Sequence, residues 1–215
     1  MSRHFSVFRG AASASLCSAL AFGLGLHIGN TKAETTSGTG AVPSFTTNSA
    51  VAVLGPSPAD SKDSGVRGSI VFFQAKPADG KAPPPLRVRA QVTGLRPNSK
   101  HGFHIHALGD LTKGCMSAGG HWNPFNAPHG GPTDAAEARH AGDLGNLQAD
   151  AMGNVNVELE VRLLTLHGAL SIVGRSVIIH ADEDDLGRGG HPDSKTTGHA
   201  GARIACGVIG MKENE

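Results

Sequence analysis

Several things are scarce in this chain, and each scarcity excludes something. Positive charge is not in excess: 19 basic and 18 acidic residues leave a formal net charge of +1, which argues against a general nucleic-acid or anionic-membrane binder. Helical periodicity is missing, since no window of the 215 residues repeats its apolar positions every three to four. There is no internal repeat. The one long apolar stretch, AASASLCSALAFGLGLHIG, is broken by Ser, Gly and His27 and makes a poor membrane anchor. Tyrosine is absent, tryptophan occurs once, and no Cys-x-x-Cys pair exists among the three cysteines, Cys17, Cys115 and Cys206. What is abundant is Gly and Pro, together about a fifth of the chain, which favours turns over long helices, and histidine, with 12 residues.

The charge is unevenly placed. Residues 1–33 hold Arg3, Arg9 and Lys32 and no acid, so removing these three from the basic total leaves the remainder slightly acidic. A basic start, a small apolar stretch and a Thr31-Lys32-Ala33 ending make this segment a targeting peptide. The T-x-A ending suits a secretory signal, while the Ser, Thr and Ala enrichment with a single acid, Glu34, through residue 49 suits an organellar transit peptide. Cys17 lies within the leader and is given no role. Residues 34–49 read as a disordered linker, with the folded domain at 50–215.

From Ala50 onward the pattern is that of strands. Apolar residues alternate along 86–92 (LRVRAQV) and 154–161 (NVNVELEV), as in half-buried antiparallel strands. Shorter apolar runs at 50–54, 69–73 and 176–180 are separated by Gly, Pro, Asp and Ser, so an all-β sandwich or barrel is the economical architecture. Two stretches break this rhythm, 107–140 and 181–202. Both are long, Gly-rich and supplied with His and Asp, the profile of functional loops.

His104 and His106 are two apart in Gly-Phe-His-Ile-His, so on a strand both imidazoles project from one face and can grip one ion. In the following loop come His121, His129, His140 and Asp143, and three imidazoles with one carboxylate complete a tetrahedral zinc shell. His180 ends the run Ser-Val-Ile-Ile-His. Six histidines and one aspartate are enough for more than one metal.

Six segments carry a resemblance: 102–110 (GFHIHALGD), 114–121 (GCMSAGGH), 129–132 (HGGP), 139–146 (RHAGDLGN), 177–187 (VIIHADEDDLG) and 201–210 (GARIACGVIG). In this order they resemble the copper/zinc superoxide dismutases. The resemblance implies an eight-stranded Greek-key β-barrel or flattened sandwich, immunoglobulin-like, with two long functional loops. It implies one copper and one zinc per subunit: copper on His104, His106, His121 and His180, zinc on His121, His129, His140 and Asp143, with His121 shared as an imidazolate. Imidazole has two nitrogens, so one ring can serve both ions. The family's reaction alternates copper between two oxidation states, turning superoxide into dioxygen and hydrogen peroxide in antioxidant defence. His121 and Arg203 are the implied catalytic residues.

Further roles follow from the same resemblance. Asp184 is the expected carboxylate joining His104 to His129 behind the metals. Cys115 and Cys206 are the expected disulfide. Arg203 would meet the anionic substrate, with Lys195 a guide further out. A homodimer, a copper donor or chaperone, no nucleic acid and no stable membrane anchor complete the expected partners. The segments HALGD and GGHPDSKTTG most resemble plant-type members, which tips the leader toward a plastid, with secretion close behind. The chain departs from the common pattern at Gly120, Trp122 and His199, and its interval from His129 to His140 is two residues longer. A copper chaperone-like delivery protein with a dismutase-like domain is the alternative. Against it stand the full ligand set and the missing Cys-x-x-Cys.

Overall fold

The computed structural model describes residues 48–57, 64–75 and 82–213. The targeting segment, Cys17 and linker residues 34–47 lie outside the described residues. Strands form where apolar residues alternate or run together: β1 (Ser49–Pro56), β2 (Arg67–Phe73), β3 (Leu86–Thr93), β4 (Lys100–His106), β5 (Thr112–Cys115), β6 (Asp143–Gln148), β7 (Val155–Val161), β8 (Ser176–His180) and β9 (Arg203–Lys212). All but the short β5 join one antiparallel sheet in the order β6-β4-β8-β9-β1-β2-β3-β7. Its two edge strands, β6 and β7, approach each other, so the sheet closes almost completely on itself. Neighbours that are not consecutive in sequence, with crossings from β3 to β4 and from β7 to β8, give the Greek-key barrel, which leaves little sheet edge exposed.

β3 carries the alternation read from sequence: Leu86, Val88, Ala90 and Val92 are buried and the intervening residues exposed. With Ile70, Phe72, Phe103, Ile105, Leu147, Ile179 and Ile209 they fill the barrel, each such side chain contributing about 1.5–3 kcal/mol on burial. β8 is buried on both faces. Val177 and Ile179 point into the barrel, while Ile178 packs outside it against Cys115, Ala118 and Cys206.

That second interior exists because the two long segments fold over the outer face of β4, β8 and β9. The first, between β4 and β6, holds β5 and two single turns at Met116–Ala118 and Ala136–Ala138. The second, between β8 and β9, holds a one-turn helix, α1 (Ser194–Thr197). Cys115 is disulfide-bonded to Cys206 across 91 residues, which ties the first segment to β9.

Candidate metal centre

On β4, Phe103 and Ile105 enter the barrel, so the pleat turns His104 and His106 to the opposite face, under the loops. Both are fully buried. Each imidazole arrives with one nitrogen already committed. His104 donates from Nε2 to Asp184 Oδ2 (2.9 Å), His106 from Nδ1 to the Gly119 carbonyl (2.8 Å), His180 from Nδ1 to the Gly201 carbonyl (3.2 Å) and His129 from Nε2 to Asp184 Oδ1 (2.8 Å). Of the remaining nitrogens, His104 Nδ1, His106 Nε2, His121 Nε2 and His180 Nε2 are buried without any hydrogen-bond partner among the described residues, and His129 Nδ1 is buried beside Asp143 Oδ1.

An unpartnered buried nitrogen is costly, and four gathered together call for a shared ligand. His104, His106, His121 and His180 present ring nitrogens within 4.8 Å of one another. A second group, His121, His129, His140 and Asp143, meets the same distance, with the Nδ1 atoms of its three imidazoles 2.8, 3.1 and 3.1 Å from Asp143 Oδ1. Three nitrogens around one carboxylate oxygen are a donor set that a single cation satisfies, so both quartets fit a metal ion. His121 belongs to both. The third cluster, His104, His129 and Asp184, is satisfied by its own hydrogen bonds.

Protonation follows from burial and neighbouring charge. Burial first, then His121 and His180, hold His104 well below its ordinary value. Burial, His121 and Arg203 do the same to His106. His180 is lowered to about 4, chiefly by burial, and His121 is lowered by burial against the pull of Asp143. At neutral pH these four rings are uncharged, with a lone pair on each unpartnered nitrogen. Burial lowers His129 too, but Asp143 and Asp184 outweigh it and lift the ring to about 9. Asp143 is pushed up by burial and held far below the carboxylate range by its three imidazole partners.

The strands and loops that deliver these groups are locked by backbone bonds. Trp122 N–H donates to the Ile105 carbonyl, Gly142 N–H to the Trp122 carbonyl and Ile105 N–H to the Gly142 carbonyl, at 2.8–2.9 Å. This ring joins the segments that hold His104 and His106, His121, and His140 with Asp143. A Cβ at Gly142 would strike the Ile105 carbonyl and the Trp122 nitrogen. Ala107 N–H also donates to the Gly120 carbonyl, so the turn before His121 is anchored despite its glycine, and the Arg175 guanidinium lies 3.2 Å over the Trp122 ring. Asp184 is held by Asn146, whose amide donates to the Asp184 carbonyl and accepts from its N–H. At Gly198, with φ of +67°, a side chain would collide with Asp184 and His129. His199 also has positive φ and stacks on His191 at the exposed surface.

Arg203 is paired with His180 on the sheet. Its Nη1 donates to the Cys115 carbonyl (2.8 Å) and its Nη2 to the Gly119 carbonyl (2.7 Å); its charge acts on His106 and His180. Lys195 is placed differently. Its carbonyl accepts from His129 N–H, and its ammonium lies beside Gly187 and acts on Asp134, on the His129 side of the site. The carbonyls of Gly119 and Gly201 were not legible in sequence, because a backbone acceptor has no residue signature. Asn146 was legible only as part of RHAGDLGN.

Fold and site together define a Greek-key barrel carrying a histidine-built centre for two metal ions. Residues 66–209 match the copper/zinc superoxide dismutase (SODC) family. The extracellular superoxide dismutase [Cu-Zn] of Drosophila melanogaster is 50% identical over 155 residues, 72% of this chain and 81% of that protein. The chain belongs to the copper/zinc superoxide dismutase family, whose enzymes use copper and zinc.

Proposed function

We propose that the chain disproportionates superoxide to dioxygen and hydrogen peroxide at a pair of metal sites that share His121. The observation that carries this is the set of four buried, unpartnered imidazole nitrogens of His104, His106, His121 and His180, with His121 standing in both quartets. His104, His106, His121 and His180 would hold copper, and His121, His129, His140 and Asp143 would hold zinc. Copper supplies one-electron redox chemistry when bound, and zinc, which has none, charge and shape.

The residues do the rest. Nδ1 of His121 stays among His129, His140 and Asp143 while its Nε2 is the atom that takes up and returns a proton on the copper side. Asp184 fixes the tautomers of His104 and His129 together, so each quartet has one ring oriented by the same carboxylate. Arg203 places a fixed positive charge beside His106 and His180, where an anionic substrate must arrive. Lys195, beside Gly187 and Asp134, contributes to the field more weakly.

A homodimer is the assembly we favour. Val53, Leu108 and Val208 are exposed at 73, 52 and 42% and are contiguous: the space at Gly207 abuts the Val53 carbonyl, and that at Gly109 abuts Val208. An apolar patch of this kind is an association surface. A copper donor protein belongs to the same proposal, since the quartet is buried beneath a tethered loop. For the leader, the extracellular designation of the fly relative supports secretion, and the plastid destination has no comparable support.

The test is metal analysis with the copper spectrum. His121→Ala should lose affinity for both ions and change the copper spectrum, whereas His140→Ala should chiefly lose zinc. If His121→Ala keeps both ions and an unchanged spectrum, the shared-ligand proposal fails.

A further inference from the structure

A cleft of about 610 Å³ lies between the segment that precedes His140 and the end of β7, a size ordinary for small-molecule sites. Its wall mixes an apolar strip, Pro132, Leu144, Leu159, Val161 and Leu163, with polar residues that include Arg139. Arg139 is only 3% exposed. Its Nη1 donates to the Asp143 carbonyl (2.7 Å), a neutral acceptor, and its Nε has no partner. The other charges lining the cleft are matched: Asp134 to Arg188 at 2.6 Å and Glu160 to Arg162 at 2.7 Å. The Asp143 carboxylate is engaged by the three imidazoles. Among the described residues Arg139 makes no ion pair, although a guanidinium this deeply buried normally has a carboxylate or phosphate on its fork.

We propose that this cleft binds a small organic monocarboxylate, its carboxylate on the part of the Arg139 fork that Asp143 leaves free and its chain along Leu144, Leu159 and Leu163. One guanidinium neutralises one negative charge, and the other charges at the cleft are already paired, so the second charge of a dianion finds no partner. The apolar wall gives an aliphatic chain an advantage of roughly fourfold for each methylene it buries. The site is separate from the shared-ligand proposal, and its test reads a different quantity.

Calorimetric titration of the metal-loaded protein with octanoate, acetate and inorganic phosphate decides it. Octanoate should bind at least about tenfold more tightly than acetate, and phosphate no more tightly than acetate. Arg139→Met should abolish octanoate binding. Because Arg139 also holds the Asp143 carbonyl, a second variant is needed: Leu163→Glu should keep the copper spectrum and the dismutation rate of the unchanged protein while losing octanoate. Absence of octanoate binding to the unchanged protein overturns the proposal. So does equal octanoate binding by Arg139→Met, which makes the contact merely apolar, or phosphate binding as tight as octanoate, which makes it a plain anion site.

Discussion

Along β3, Leu86, Val88, Ala90 and Val92 are buried while Arg87, Arg89, Gln91 and Thr93 face water; along β4, His104 and His106 are as deeply buried as Phe103 and Ile105. The β1–β2–β3–β7 side of the barrel has one apolar face and one wet face, and its visible charges, such as Arg89 with Glu158 at 3.3 Å, are exposed pairs that contribute little. The β4–β6–β8 side has two interiors. Its outer one is built of imidazoles, Asp143, Asp184 and backbone carbonyls, with only a small apolar patch around Ile178. Burial of hydrocarbon holds the first side without help. The second buries polar atoms that need partners, and four of its nitrogens have none among the described residues. Stability on this side is therefore tied to metal and to covalent tethering.

Removing both metals should expose this difference most. Ligation of a structural zinc is worth on the order of 10 kcal/mol, and its loss should fall on segments 107–142 and 181–202. Hydrogen exchange of the metal-free protein should show those amides losing protection while β1, β2, β3 and β7 keep theirs. Uniform loss across both regions would erase the distinction drawn above.

A matched pair of substitutions comes next. Cys206→Ser opens a 91-residue closure, worth about 4 to 5 kcal/mol in the chain-entropy treatment, and should lower Tm, weaken the proposed dimer and leave the proposed copper ligand set intact. Phe72→Ala removes a fully buried ring of the apolar side at a cost of about 3–5 kcal/mol. Exchange should place the damage of the first in the loop of Cys115 and of the second in β1, β2 and β3. The unreduced, fully metallated protein should show no alkylatable thiol at Cys115 or Cys206 by mass spectrometry.

Asp184→Asn is smaller in energy and sharper in location. Losing the carboxylate that accepts from both His104 and His129 should cost about 10- to 100-fold in metal affinity, read by competitive chelation, with a Tm in the metal-loaded state close to that of the unchanged protein. A variant that loses affinity for one ion alone would show that Asp184 supports the quartets unequally.

The smallest effect is on rate. Residues 34–215 are slightly acidic, which repels superoxide, while Arg203 is positive beside the unpartnered nitrogens. Charges more than about 8 Å apart are largely screened at physiological salt, so the local charge should prevail. Added salt should lower the rate constant measured by pulse radiolysis, and Arg203→Glu should lower it further and reverse the trend. A rate for the unchanged protein that rises with salt would assign control to the overall charge instead.

Much was legible in the sequence because it depends on local spacing. The period-two alternation at 86–92 and 154–161 marked β3 and β7, and the His-x-His pair placed two imidazoles on one face of β4. Other features have no local signature. β6 begins at Asp143, inside a stretch readable only as ligands, and β9 carries Arg203 and Cys206 without a regular apolar period. Cys115 and Cys206 were paired by resemblance, since two cysteines 91 residues apart give no direction to each other until β5 and β9 are placed.

The sequence by itself determined which residue types are available and which faces of the strands they occupy, because the pleat fixes side-chain direction at every second residue. Tertiary structure decided which nitrogen of each imidazole is left open. That choice belongs to the partner of the other nitrogen: Asp184 for His104 and His129, the Gly119 carbonyl for His106, the Gly201 carbonyl for His180. These acceptors come from loops and strands distant in sequence, and a ring with two chemically similar nitrogens acquires a direction only when the fold brings one of them an acceptor.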